Sequence, residues 1–309
     1  MGRPKVGIIG GGNVGASLAM SIINRDIADV VISDIVDGLP QGKALDMSES
    51  RTPDYHDCEA TGTNKIEDMN GCEVVVITAG VPRKPGMTRE QLLDINAKII
   101  RDVSAVLKTF KPQPIVLVVT NPLDVMTYLA FKSLGFPKTR VIGMAGVLDS
   151  SRMCHFIAEE LGVSAKDVRA MVLGSHGDTM VPVPRLTSVS GIPLPELLPA
   201  DKIEKINQRT RDGGAEIVAL LKTGSAYYAP GSSIAVMVES ILKDERRLLP
   251  CSAVLEGEYG LSEVVVGVPV VLGRNGIEKI IQVKLSEQES AALKKSADVV
   301  KENIKILKI

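Results

Sequence analysis

This 309-residue chain has few cysteines, few histidines, almost no net charge and no long apolar run, and each shortage excludes something. Cys58, Cys72, Cys154 and Cys251 show neither C-x-x-C nor paired ligand spacing. No disulfide framework or metal site is therefore expected, and four buried, reduced thiols in a cytoplasmic protein are. No apolar stretch approaches the roughly 18 to 20 residues that span a bilayer. The first strand-like run breaks at Gly10-Gly11-Gly12, unlike a secretory signal, and Val6 stands where myristoylation needs Ser or Thr. With 36 basic and 37 acidic residues the formal charge is −1. Such a chain has no global field to draw it to nucleic acid or an anionic membrane, so any anion must be held by a local cluster. No internal repeat or low-complexity linker interrupts the sequence.

What is present is ordinary for a globular protein, 45% hydrophobic and 24% charged, and longer than one average core needs. Apolar runs at Val6–Ile9, Val30–Ser33, Val74–Thr78, Ile115–Val119 and Val141–Met144 read as buried parallel strands, with a shorter polar strand near Glu59–Thr63. Amphipathic stretches lie between them, such as Ile95, Ile99, Val103, Val106 and Leu107 at helical spacing. The fold class expected is α/β: a Rossmann-type doubly wound parallel sheet of six strands, followed by an α+β catalytic domain. The boundary is placed between residues 1–144 and 145–309, because beyond it helix signals lengthen and strand signals turn hairpin-like. Val168–Leu173 and Val181–Pro184 read as one hairpin around Gly174-Ser175-His176-Gly177-Asp178. A capping box at Ser286 and Glu289 opens a last helix whose stripe is Leu293, Ala297, Val300, Ile304 and Leu307. The two lobes are expected to pack tightly, with the site between them.

Gly10-Gly11-Gly12-Asn13-Val14-Gly15 follows a strand and opens a helix. Gly10 suits the tight turn, Gly12 the close approach of backbone to a pyrophosphate, and Gly15 the contact of helix with strand, while the helix N-terminus offers N–H groups to the anion. Nineteen residues after Gly15, Asp34 closes the second strand where a carboxylate can accept from ribose hydroxyls and would repel a 2′-phosphate. NAD is thus the expected cofactor, although Asp is also an ordinary strand-end turn residue. The fourth strand runs into Ala79–Arg89, which carries Arg83 and Arg89 over the crevice at the carboxyl ends of the strands. Its bland alternative is a solvated basic loop. Pro122 stops the fifth strand at Asn121, whose side chain can donate to a substrate oxygen; Asn-Pro is also a common turn opener.

Only His56, His155 and His176 can carry a proton between neutral and cationic forms near pH 7. His56 reads as surface loop and His155 as a packing or surface residue, whereas His176 lies in a tight, glycine-flanked turn. That imidazole could take a hydroxyl proton as hydride leaves the same carbon, given a carboxylate to orient it. Asp149 and Arg152, three apart at a helix start, share a face, so one could hold His176 while the other meets a substrate carboxylate in a bidentate fork. Asp178 is nearer in the chain but would point away from a simple hairpin. Sequence leaves that choice open.

Five segments in order carry a resemblance over essentially the whole chain: Gly10–Gly15, Val81–Arg89, Thr120–Asp124, Gly146–Arg152 and Gly174–Asp178. Together they resemble the lactate/malate dehydrogenase family, most of all its lactate-dehydrogenase-like malate group. The resemblance implies an NAD-dependent oxidoreductase of the tricarboxylic acid cycle that converts (S)-malate to oxaloacetate reversibly. It implies His176 as acid/base, Asp149 as its partner, Arg152 as anchor for the carboxylate beside the reacting carbon, and Arg89 on the carbonyl. Asn121 is implied at substrate and cofactor, and Gly10, Gly11, Gly12, Asn13, Val14, Gly15, Asp34, Asn96, Val119 and Thr120 at the cofactor. Arg83 occupies the position where lactate enzymes carry Gln, and its guanidinium matches a second substrate carboxylate. Against pyruvate it would be left desolvated and unpaired. Lactate or another 2-hydroxy acid, or a non-catalytic NAD sensor, remain the alternatives. The resemblance also implies a homodimer or homotetramer, for which helix faces around Ile22 and Ile234 are candidate interfaces. Thr223–Gly231 reads equally as pocket wall or as a loop entering a helix.

Overall fold

Short β-branched runs, each ended by glycine, proline or a polar turn, form strands here, and the amphipathic stretches between them form helices. A computed structural model of the chain describes residues 2–82 and 88–307, with Arg89 by its backbone alone. The first part runs β1 (Lys5–Ile9), α1 (Asn13–Ile23), β2 (Asp29–Ser33), α2 (Leu39–Glu49), the single turn α3 (Arg51–Asp54), β3 (Ala60–Thr63), β4 (Val74–Ile77), α4 (Arg89–Leu107), β5 (Ile115–Val118), α5 (Leu123–Leu134) and β6 (Val141–Gly143). The second runs α6 (Gly146–Leu161), β7 (Val168–Arg169), β8 (Val172–Leu173), β9 (Val181–Pro182), β10 (Ser188–Val189), β11 (Ile192–Pro193), α7 (Leu194–Leu197), α8 (Ala200–Leu221), α9 (Tyr228–Leu242), β12 (Arg247–Glu256), β13 (Ser262–Gly273), β14 (Gly276–Ile280) and α10 (Glu287–Ile306).

Strands β1 to β6 are the six parallel strands expected, in spatial order β3-β2-β1-β4-β5-β6. Every residue of β4 and β5 is buried, as a sheet covered on both faces requires. The order reverses between β1 and β4, which opens the crevice at their carboxyl ends where ligands bind in such sheets.

Beyond residue 144 the structure departs from the sequence reading in two ways. The sheet does not stop at β6: Ser252 of β12 pairs antiparallel with Gly143, and β12, β13 and β14 extend it to nine strands. Buried runs such as Val264–Val266 suit that place, because α6 packs on β12 and α5, α9 and α10 pack on β13. The expected strand Val168–Leu173 is instead two short strands that change partner midway. Val168–Arg169 pairs with β10, and Val172–Leu173 pairs with β9 to flank the loop that carries His176.

Two surface assignments also change. Ile22 and Ile234 are fully buried within the chain, because α1 and α9 pack on each other. Gly231 allows it, since a Cβ there would come within 2.9 Å of the Ser17–Leu18 backbone. Those faces are therefore not available to a second copy. His56 is buried too: Tyr55 turns the chain through a left-handed conformation, φ 54°, and the following ring comes to lie 3.4 Å from Ser50 Oγ. Helix α10 begins at the capping box of Ser286 and Glu289 and buries all five residues of its stripe. Among the described residues no helix is long and apolar enough to cross a membrane.

Candidate active site

At the carboxyl end of β1 the chain turns through Gly10 at φ 107°, where a Cβ would meet the backbone N of Ala79 at 2.7 Å. A Cβ on Gly15 would collide with the Gly10 carbonyl, so α1 lies against the turn, whereas at Gly12 one would meet nothing. Gly12 is also the N-cap of α1, and no side chain caps it, so no side chain competes with a ligand for the N–H groups of the first turn. This cradle fits a pyrophosphate. Asp34, half-buried at the end of β2, accepts the Gly11 N–H at 2.7 Å and the Val36 N–H at 3.0 Å on separate oxygens. Each oxygen keeps a lone pair for a ribose hydroxyl. Lys43 fastens the same turn by donating to the Gly11 carbonyl at 2.6 Å.

The described start of the loop after β4 and the loop after β5 lie side by side, joined by Asn96 and Thr120. Arg83 lies outside the described residues, as does the side chain of Arg89, whose backbone opens α4 behind a Thr88 and Gln91 capping box. Asn96 is buried inside α4, and its amide joins the two loops: Oδ1 accepts from Val81 N–H at 2.9 Å, and Nδ2 donates to the Asn121 carbonyl at 2.7 Å. Thr120 is likewise turned to backbone, donating to the Ala79 carbonyl at 2.6 Å. Val119 is half-buried beside it, and Asn121 is exposed. Asn121 and His176 line one cleft of about 490 Å³, together with Glu90, Asp178, Val299 and Ile306.

His176 itself is gripped by α6. Its Nδ1 lies 3.0 Å from Asp149 Oδ2, and Arg152 Nη1 lies 3.4 Å from the other oxygen, Oδ1. Asp149 is 2% exposed, Arg152 11% and His176 19% by side chain, so a nearly buried carboxylate joins a cation to an imidazole that still reaches the surface. Burial alone would lower the affinity of the ring for a proton, but the charge and hydrogen bond of Asp149 raise it above the ordinary 6.5. With Nδ1 engaged, Nε2 is the nitrogen left for proton exchange. Arg152 Nε is buried with no hydrogen-bond partner among the described residues, so the guanidinium keeps donors for a ligand. Asp178 is exposed and does not hold the ring. Of the other histidines, His155 is exposed beside Phe156 and His56 is buried against Ser50, both away from this cluster.

Four contributors were not singled out from the sequence. Asp124, 3% exposed in the first turn of α5, accepts the His176 backbone N–H at 2.8 Å and the Ser252 hydroxyl at 2.6 Å. A lone carboxylate in the apolar helix Leu123–Leu134 was the available signal, since such a group is buried only when hydrogen-bonded. Gly213 and Gly214 of α8 flank Arg152; a Cβ on Gly213 would stand 3.2 Å from its Cδ. Adjacent glycines inside a helix, each costing about 1 kcal/mol against Ala, were the signal there. Ser296 of α10 accepts the Ser175 N–H at 2.8 Å, and nothing in a lone serine announces it. Thr223–Tyr227 is largely exposed and leads into α9. Among the described residues no group of His, Cys, Asp or Glu could hold a metal ion.

Residues 4–143 match the lactate/malate dehydrogenase NAD binding domain, and residues 146–308 match the alpha/beta C-terminal domain of the same family. A malate dehydrogenase of Pelodictyon phaeoclathratiforme is 54% identical over 304 residues, 98% of each chain. The apo malate dehydrogenase structure from Picrophilus torridus superposes with a TM-score of 0.96 at 47% identity, covering 99% of this chain and 97% of that one. The Cryptosporidium parvum lactate dehydrogenase, solved with lactic acid and NAD, gives 0.95 at 40% identity, covering 100% and 99%.

Proposed function

The chain belongs to the lactate/malate dehydrogenase family, and from that premise we propose that it uses His176, Asp149 and Arg152 to oxidise (S)-malate to oxaloacetate reversibly with NAD. The observation that carries the reading is the 3.0 Å contact of His176 Nδ1 with a carboxylate that also faces Arg152. Residues 1–144 hold the cofactor: the turn Gly10–Gly15, with Asn13 and Val14 opening α1, takes the pyrophosphate, and Asp34 takes the adenosine ribose. Asn96, Val119 and Thr120 set the backbone beside the nicotinamide. When bound, NAD supplies the hydride acceptor at the carbon being oxidised.

Residues 145–309 supply the chemistry on the substrate side. Neutral His176 takes the C2 hydroxyl proton on Nε2, and Asp149 stabilises the imidazolium that results. Arg152 forks onto the C1 carboxylate, Asn121 donates to the C2 oxygen, and Arg89 stabilises the charge developing there. Arg83 pairs with the distal carboxylate. The fold alone does not choose between substrates, since a lactate enzyme shares it at a TM-score of 0.95. Arg83 makes the choice, because a site built for a polar group can reject the analogue lacking it by roughly 10⁴ to 10⁵. The enzyme works in the cytoplasm as a homodimer or homotetramer. Its test is a paired steady-state assay with NADH, oxaloacetate against pyruvate, for the wild type and Arg83→Gln. Oxaloacetate wins and the variant narrows the gap; equal reduction of pyruvate by the wild type would overturn the assignment of Arg83.

A further inference from the structure

The loop 174–179 that carries His176 is fastened at two successive N–H groups. Ser175 N–H donates to Ser296 of α10, and His176 N–H donates to Asp124 of α5. Ser296 also bonds the hydroxyls of Ser175 and Thr179, which closes the loop on itself. Asp124 is the unusual member. It is a carboxylate 3% exposed in a largely buried helix, and its remaining oxygen is taken by Ser252, a buried residue of β12 adjoining β6. A buried carboxylate with two short hydrogen bonds, one of them to the backbone of the proton carrier, does more than fill space.

We propose that Asp124 is a positioning residue for His176: clamped by Ser252, it fixes the backbone of the histidine while Asp149 fixes its ring, so two carboxylates from two helices hold one histidine. The inference rests on His176 being the proton acceptor. Asp124 does not touch substrate; it acts through the place and the charge it gives His176. Burial pushes its carboxyl up to about 6, against the hydrogen bonds from Ser252 and His176. The ionised form in turn favours the protonated imidazole, in the same sense as Asp149 and against Arg152. Among the described residues the charged groups around His176 are Asp149 and Arg152 of α6, Asp124 of α5, and Glu90 and Asp178 on the cleft wall. β12 contributes the hydroxyl of Ser252, and α10 the hydroxyl of Ser296 and, on the cleft wall, the neutral amide of Asn303.

Asp124→Asn separates charge from geometry, because the amide oxygen can still accept from His176 N–H while the Ser252 hydroxyl rotates to accept from the amide nitrogen. Two readouts follow: the pH profile of kcat/KM for malate, and the titration of the His176 ring by proton NMR, which is tractable with three histidines in the chain. In Asp124→Asn both the acid limb and the NMR midpoint move to lower pH by roughly 0.5 to 1 unit, as expected for loss of one nearby carboxylate. In Asp124→Ala the plateau kcat also falls, by about tenfold or more, because the base is no longer held. Ser252→Ala, a milder change, moves the limb in the same direction by less. An unmoved midpoint in Asp124→Asn and Ser252→Ala overturns the proposal, whether or not Asp124→Ala folds. If His176→Asn keeps its activity while the midpoint still moves, the assignment of the base fails and the positioning role stands.

Discussion

Among the three histidines, His176 alone has a ring nitrogen bonded to a buried carboxylate in the described residues. In the proposed role of base, a ring so placed contributes about 10²- to 10⁴-fold to such a proton transfer. His176→Asn is therefore expected to cost turnover on that scale while NADH binding, followed by fluorescence, stays nearly intact. The raised proton affinity of the ring sets the pH dependence. Malate oxidation needs neutral imidazole, so it rises as pH passes through a value above 6.5, and oxaloacetate reduction, which needs imidazolium, falls through the same value. A profile with its limb below 6.5 for malate would contradict the Asp149 contact. Linkage runs in the same sense: the stability from this protonated pair is complete below the unfolded imidazole value and is lost as pH rises through the folded one. At this scale the sequence was legible where a residue type is rare, as with His176, and misleading where burial decides. His56 sits in a polar stretch and is buried nonetheless.

Helices place these residues by their spacing and by what they omit. Asp149 and Arg152 face one way because they are three apart on α6, and Gly213 and Gly214 of α8 leave room for the Arg152 side chain. Gly213→Val adds branches where even a Cβ stands 3.2 Å from Arg152 Cδ. The expected result is a fall of roughly 10- to 100-fold in kcat/KM for oxaloacetate, with NADH affinity unchanged. Elements with one strong local signal match the sequence reading: β1, β4 and β5 from their apolar runs, and α10 from its capping box. The span 168–173 does not, because two residues on either side of Ala170-Met171 pair with different strands, and no local pattern encodes a change of partner.

At the level of the molecule, one sheet joins the two sequence halves, through Ser252 opposite Gly143, and α9 of the second half closes on α1 of the first. The glycine turn and the loop of His176 are thus tied to one apolar core. Gly231→Val would push a branched side chain into the Ser17–Leu18 backbone at a 2.9 Å approach. It is expected to lower stability by about 1 to 3 kcal/mol, read as a shifted urea midpoint, and to weaken NADH binding as α1 is displaced. The burial of Ile22 and Ile234 removes them from any interface between copies. Among the described residues Ile35, Tyr55, Leu220 and Tyr228 are the most exposed large apolar side chains.

Much follows from the sequence alone: the alternation of strands and helices, the glycine turn with its acidic partner at Asp34, and the glycine-flanked turn that sets His176 apart from two other histidines. These depend on periodicity, permitted φ and residue chemistry, which act over a few positions. Only the tertiary structure decided that Asp149 and not Asp178 holds the ring, that Asp124 holds its backbone, and that the sheet runs on to nine strands. The reason is burial. Partners 27 and 52 residues apart meet because the core brings α6, α5 and the histidine loop together, and a carboxylate is fixed there only once water is gone.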